Sequence, residues 1–310
     1  MSDPVRHMHA MLAANSDPGS LTGQTVDVPE PAEGELLVQV RATALTAGEL
    51  GWPEIWPAVP GHDLSGVVAA VGTGVTGWQP GDEVYALVGF DRPGAAAEYV
   101  TVPAADVAAK PAAVSHNEAA AVPLGALTAW QALHTQASVQ PGQHVLVHGG
   151  AGGVGVYAVQ LAAQSGAVVT ATASARDHEF VAGLGASRVI DYAGGFADQV
   201  RDVDIVVDPV GGDAMAGSWS VLRPGGRLVA IAEEPGEDTG GRSDVTGVYF
   251  VVEPDGGQLR ELASRIDDRT LHPVVSATFG LSDLAAAFGT GRDRRGPGKV
   301  VISVAPAQAR

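Results

Sequence analysis

Val145-Leu146-Val147-His148-Gly149-Gly150-Ala151-Gly152-Gly153-Val154-Gly155 is the stretch whose reading decides the fold. Its apolar start reads as a buried strand and its glycines as a turn. Val154, Ala158, Leu161 and Ala162 then recur on one face at helical spacing. Gly150, Gly152 and Gly155 fit G-x-G-x-x-G between that strand and that helix. The pattern has a mechanical reason: one glycine for the tight turn, one for backbone approach to a pyrophosphate, one for close helix packing. The helix N-terminus adds free N–H groups and a partial positive charge. A structural turn is the plainer alternative in a chain with 41 glycines; the flanking strand and helix favour a dinucleotide site, with Ala151, Gly153 and Val154 completing the cradle.

Around this centre, strand and helix alternate. The pattern predicts strands at 144–148, 167–172, 188–191, 203–208, 227–231 and 248–252, and helices near 154–164, 176–184, 195–201 and 213–222. Such alternation requires a parallel sheet with right-handed crossovers. Six strands with the glycine turn after the first make a doubly wound dinucleotide domain. The segment 233–247 is acidic and glycine-rich and reads as a mobile loop.

Upstream, residues 1 to about 113 read as all-β, with strands at Leu36–Ala42, Leu64–Val71, Glu83–Val88 and Glu98–Val102 separated by turns such as Gln79-Pro80-Gly81-Asp82. Short strands with glycine turns suggest a barrel-like unit. Ser115 opens a helix, with Glu118 placed for a capping box; Pro123 kinks or ends it, and Leu127–His134 forms a further turn or two. Downstream, helices are expected at 256–267 and 284–288 and a last strand at 299–304.

The bulk numbers set limits. A chain of 310 residues accommodates about two domains. No apolar run approaches the roughly 20 residues that span a bilayer, and Met1–Ala14 has no secretory h-region. The chain has no cysteine, which excludes disulfides, thiolate zinc ligands and a cysteine nucleophile. A net charge of −17 argues against nucleic acid and anionic membranes as main partners. A cytoplasmic location is expected.

The order of modules resembles the medium-chain dehydrogenase/reductase superfamily. The resemblance rests on Pro60-Gly61-His62-Asp63-Leu64-Ser65-Gly66-Val67-Val68, Pro80-Gly81-Asp82-Glu83-Val84, Ala95-Ala96-Ala97-Glu98-Tyr99-Val100, Leu127-Thr128-Ala129-Trp130 and the glycine turn. It is extended by Leu184-Gly185-Ala186, Val189-Ile190-Asp191-Tyr192, Asp208-Pro209-Val210-Gly211-Gly212 and Gly298-Lys299-Val300-Val301. The zinc-independent quinone oxidoreductase group is the most similar. The resemblance implies an α/β protein: a GroES-like β-barrel catalytic domain over 1–113, completed by 256–310, and a Rossmann domain with a doubly wound six-stranded parallel sheet over 114–255. It also implies an active site in the cleft between domains and a homodimer. The sixth strand, Gly247–Val252, is the apolar edge that such a dimer would cover.

His62 matches the position of a zinc-ligating histidine in the superfamily's alcohol dehydrogenases. Catalytic zinc needs three protein ligands and an open position. Thr46 stands where a cysteine would be, and Ala86–Ala96 is too short for a structural zinc lobe, so no metal is expected. At the end of the second strand, NAD sites usually carry an acid. Here the position is Ser174, followed by Arg176, whose forked donors suit a 2′-phosphate. Tyr192 matches a tyrosine that flanks this phosphate in the resembled group. The cofactor reading is therefore NADPH; Arg176 as a solvated charge, or Asp177 on the ribose after a one-residue shift, are the alternatives. By resemblance, Thr128, Val210 and the backbone of Phe250, Val251 and Val252 line the nicotinamide side.

The group's Val-Asn-Pro-x-Asp run is replaced by Leu45-Thr46-Ala47-Gly48-Glu49. Thr46 is the candidate hydroxyl donor to substrate, with water as proton source. Glu49 is either an acid or a packing carboxylate, and Trp52 is either core or a flat wall for an aromatic substrate. The resemblance thus implies a reductase of quinones or α,β-unsaturated carbonyls. A biosynthetic enoyl reductase and a cofactor-binding protein with little catalysis are the rivals.

Overall fold

A computed structural model describes residues 7–236, 239–293 and 296–304. Met1–Arg6, and Glu237 and Asp238 of the acidic loop segment, lie outside the described residues. The chain divides into two compact units, one running to Leu124 and resuming at Glu253, the other spanning Gly125–Val252.

The first unit opens with β1 (His7–Leu12) and β2 (Thr22–Asp27), an antiparallel pair. It continues with β3 (Glu35–Leu45), β4 (Asp63–Val71), β5 (Glu83–Leu87), β6 (Tyr99–Pro103) and β7 (Val107–Ala109). Gly66 lets β3 and β4 approach: a Cβ there would sit 2.3 Å from the Gln39 carbonyl oxygen. The short helix α1 (His116–Ala120) carries the expected capping box, Ser115 accepting from Glu118 N–H and Glu118 accepting from Ser115 N–H. Pro123 does not kink α1; it starts a new helix, α2 (Pro123–Trp130), where its missing N–H costs nothing. A π-helical stretch, Gln131–Gln136, follows α2.

The second unit holds β8 (His144–Val147), β9 (Val168–Ala173), β10 (Arg188–Asp191), β11 (Val203–Asp208), β12 (Leu222–Ala230) and β13 (Thr246–Tyr249), all parallel. Helices α3 (Gly155–Gln164), α4 (His178–Gly183) and α5 (Asp213–Val221) connect them. The order β10-β9-β8-β11-β12-β13 is the doubly wound arrangement, with its direction reversal between β8 and β11. Val145, Leu146 and Val147 of β8 are fully buried, each contributing about 1.5–3 kcal/mol of apolar burial.

Two expectations need correction here. The segment 195–201 forms only a 3-10 turn, Phe196–Asp198. Gly195 at φ 71° and Asp202 at φ 57° bracket it, leaving too few residues to nucleate an α-helix. The sixth strand ends at Tyr249, not Val252, because β12 runs out of partners at Ala230, opposite Tyr249. Phe250, Val251 and Val252 thus lie just past the strand's C-terminal end.

The chain then returns to the first unit. Helix α6 (Gly256–Asp267) buries Leu259, Leu262 and Ile266 on one face, and the Tyr85 hydroxyl donates to the Leu259 carbonyl at 2.5 Å. After β14 (Val275–Gly280) and α7 (Leu284–Asp293), β15 (Lys299–Ser303) lies between β14 and β3, antiparallel to β3. The sheet order is β14-β15-β3-β4-β5-β7, with β6 also on β3. No described helix is long and apolar enough to cross a membrane.

Candidate active site

In the second unit, β8 delivers the chain to the glycine turn. The left-handed position is Gly149, at φ 60°. Gly150 serves packing: a Cβ would meet the Ala171 and Val181 side chains at 3.0 Å. Gly155 serves closer packing still, since its Cβ would lie 2.0 Å from the Gly149 carbonyl oxygen. Gly125 of α2 approaches in the same way, 2.3 Å from the Gly153 oxygen. Thr172 of β9 pins the turn by accepting from Gly149 N–H and bonding His148 Nδ1 at 3.2 Å. His148 Nε2 meets Ser218 Oγ at 2.8 Å, and that hydroxyl donates onward to the Ala214 carbonyl, so Nε2 carries the imidazole hydrogen. Burial holds the His148 pKa down, to about 4. Val210, tied to Asp208 Oδ1 by its N–H, lies against Gly149, its Cγ2 3.1 Å from where a Cβ would stand. Thr128 is buried on α2. Among the described residues, no protein acceptor takes the N–H of Gly153, Val154 or Gly155 at the head of α3. These free donors fit the pyrophosphate of a dinucleotide.

Strand register brings the ribose-side residues together. Asp191 of β10 pairs with Ala173 of β9, so Tyr192 and Ser174 leave the sheet side by side. Tyr192 is 63% exposed, open to a ligand. Ser174 Oγ donates to Asp177 Oδ2 at 2.6 Å, and Arg176 Nε lies 3.5 Å from the same oxygen. Asp177 thus holds both Ser174 and Arg176.

The first unit contains a buried polar cluster at the start of β15. Because Val300 pairs with Leu45, antiparallel register sets Lys299 opposite Thr46. Lys299 Nζ donates to Thr46 Oγ1 at 2.7 Å and forms an ion pair with Asp63 Oδ2 at 3.0 Å. The other Asp63 oxygen accepts from Leu124 N–H at 2.6 Å. Both charged side chains are buried. Glu49, also buried, accepts from the N–H of Thr46 at 2.8 Å and of Gly61 at 3.0 Å. It therefore fastens the end of β3 to the segment carrying His62.

Burial raises the Glu49 pKa from 4.5 to about 7, against the pull of its N–H donors and Lys299; the nearby Asp63 adds to the rise. Between those values the native state keeps a proton that the unfolded chain has released. Stability must therefore fall as pH rises from 4.5 to 7 and level off above that window. Urea unfolding across this range should show a negative contribution in wild type that is absent in Glu49→Gln. Equal slopes in the two proteins would contradict it.

His62 is buried, and its Nδ1 must donate to the Val88 carbonyl at 3.1 Å, which fixes the neutral tautomer. Desolvation lowers its pKa. Its ring packs on Phe90 with centroids 5.0 Å apart, and Trp52 meets Phe90 edge-on at 5.3 Å. Trp52 is 41% exposed, so it is not core. Sequence reasoning missed two members of this site. Phe90 sits in a loop with no periodicity to mark it. Lys299 had a signal, a lone cation opening an apolar strand, which hydropathy alone reads as a strand end.

A catalytic zinc does not fit this donor set. The chain has no cysteine, and among the described residues no three His, Asp or Glu side chains converge to hold a metal. Thr46, at the first ligand position, is bonded to an ammonium, whose charge opposes a second cation there.

Comparison with known proteins gives the context. Two family models match: an alcohol dehydrogenase GroES-like domain over residues 32–112, and a model described as zinc-binding dehydrogenase over 184–302. A probable zinc-binding mitochondrial oxidoreductase of Arthroderma benhamiae is 32% identical, covering 92% of this chain and 93% of the relative. An NADPH-dependent alkenal/one oxidoreductase of Arabidopsis thaliana chloroplasts is 34% identical, covering 90% and 74%. The solved structure of a quinone oxidoreductase from Coxiella burnetii superposes with a TM-score of 0.89 at 30% identity, covering 96% of this chain and all of the other.

Proposed function

This chain belongs to the medium-chain dehydrogenase/reductase superfamily and is an oxidoreductase using a nicotinamide cofactor; on that premise we propose that it is an NADPH-dependent, zinc-independent reductase of quinones or α,β-unsaturated carbonyls. The observation that carries this reading is the donor set of the first unit, a hydroxyl and a buried ammonium where metal chemistry would need three ligands. When bound, the cofactor supplies a hydride. The protein's part is to receive the charge that then develops on the substrate oxygen. Thr46 offers the hydrogen bond for that oxygen. Trp52 and Phe90 offer a flat apolar wall suited to a conjugated, planar substrate.

The test is NADPH oxidation against quinones, small enones and enoyl thioesters side by side, with and without a strong chelator. Turnover of a quinone or a free enone, unchanged by chelation, is the expected result. Turnover confined to enoyl thioesters, no turnover at all, or a loss on chelation that zinc restores would each overturn the reading.

The NADPH preference rests on Ser174, Arg176 and Tyr192 and on the missing acid at the end of β9. Arg176 is well exposed, so solvent screens its pairing and the lower end of charge-assisted strength applies. Arg176→Ala should weaken NADPH about tenfold, ~1.4 kcal/mol, and leave NADH unchanged in fluorescence titrations. An equal effect on both cofactors would move attention to Asp177 as a ribose ligand.

A further inference from the structure

We propose that Lys299 is a positioning residue: anchored on Asp63, it holds the Thr46 oxygen as an acceptor and so reserves the Thr46 hydrogen for the substrate oxygen. The inference rests on the reductase reading above and goes beyond it, since it assigns a role to a residue 253 positions away in sequence.

A hydroxyl has one hydrogen and can both give and receive. An ammonium can only give. At 2.7 Å from Lys299 Nζ, Thr46 Oγ1 must therefore accept, and its own hydrogen must point elsewhere. Among the described residues no protein acceptor takes it. The threonine backbone is fixed as well: its N–H goes to Glu49 Oε2, and its carbonyl accepts from Glu49 N–H at 3.2 Å. Antiparallel register sets Lys299 at this position, so the arrangement does not depend on a mobile side chain finding its partner. The buried Lys299 cation, one hydrogen bond away, also polarises the O–H of the half-buried threonine.

The chemical step balances without Lys299 giving up a proton. A bound nicotinamide would supply the hydride; an enone taking it at the β-carbon would shift its C=C pair toward the carbonyl carbon and its C=O pair onto oxygen, leaving an enolate oxygen. That oxygen takes the hydrogen bond from Thr46, whose hydrogen stays on threonine. Water then protonates the α-carbon, and the hydroxide goes to bulk buffer. The contrasting role for Lys299 is a strand-fastening ion pair with no bearing on Thr46.

A double-mutant cycle separates the two. Kinetics are measured for wild type, Lys299→Met, Thr46→Val and the double variant on the best enone or quinone of the panel. Positioning predicts that Lys299→Met lowers kcat about ten- to a hundredfold with KM nearly unchanged. It also predicts less than about a twofold further loss in the Thr46→Val background, because the group being positioned is gone. NADPH affinity should be the same in all four proteins. Losses that multiply across the cycle, or a rise in KM with kcat retained, would overturn the inference while leaving the reductase reading intact. A wild-type protein that turns over nothing in the panel fails the reductase reading itself, and the inference with it. If Lys299→Met does not fold, the same cycle is run from Asp63→Asn/Lys299→Met, which removes both buried charges together, and the same criteria apply.

Discussion

Gly155→Ala is expected to abolish measurable binding of the nicotinamide cofactor and to destabilise the second unit by roughly 3–5 kcal/mol, the range of severe core clashes. The added methyl would stand 2.0 Å from the Gly149 oxygen, 2.8 Å from the Gly149 carbon and 2.9 Å from the Gly150 Cα. All three are backbone atoms, so no side chain can swing away. The turn would have to open where Thr172 and the left-handed Gly149 already fix it. Gly183→Ala is the control, because a Cβ there meets nothing within 4 Å. It should leave affinity and stability nearly unchanged. Fluorescence titration with NADPH and urea unfolding check both; retained affinity in Gly155→Ala would mean that the turn is not the phosphate site.

Asp63→Ala should cost about 3–5 kcal/mol of stability, because it strands the Lys299 ammonium in the interior without a counter-charge. The Leu124 N–H loses its acceptor in the same stroke. Removing the cation as well, in Asp63→Ala/Lys299→Met, should recover most of the loss, since a missing buried pair is far cheaper than half of one. Trp52, Trp56 and Trp78 lie in the first unit and report its unfolding in urea. A midpoint in Asp63→Ala indistinguishable from wild type would show that Lys299 finds water or another partner.

The sequence was readable where local pattern and tertiary role coincide. The apolar runs of β8, β9 and β11, the glycine turn and the Ser115 capping box announce themselves within a few residues. The 195–201 segment misled because Phe196 and Val200 are helically spaced and buried, yet the glycine before and the left-handed Asp202 after leave room for one turn only. The strand β14 went unread because Val275–Gly280 alternates weakly and is half-buried except at the exposed Thr278. The roles within the glycine turn were legible as a set, but the left-handed position fell on Gly149, one residue before the motif's first glycine. The site of the first unit was legible only at its near end. Thr46 and Glu49 stand three residues apart and bond to each other. Lys299 joins them through strand register, which no window of sequence displays. Asp177 was read as a ribose ligand after a one-residue shift; in the structure its carboxylate accepts from Ser174 and pairs with Arg176, contacts that no sequence window displays.

The return of the chain to its first sheet has a consequence for how the protein is made. The second unit lies wholly between Gly125 and Val252, so its contacts are available to a nascent chain once that segment has emerged. The first unit must wait for β15, which supplies the neighbour of β3 and the partner of Asp63. Until then the exposed flank of β3 and a buried-to-be carboxylate remain uncovered, a state prone to strand pairing with other chains. Synthesis thus completes the segment of the second unit before Thr46 can take its final setting beside Lys299. Clipping after α7 would take Lys299 away from Thr46 and Asp63 in a finished protein, so the integrity of the last strand decides whether that polar cluster is complete.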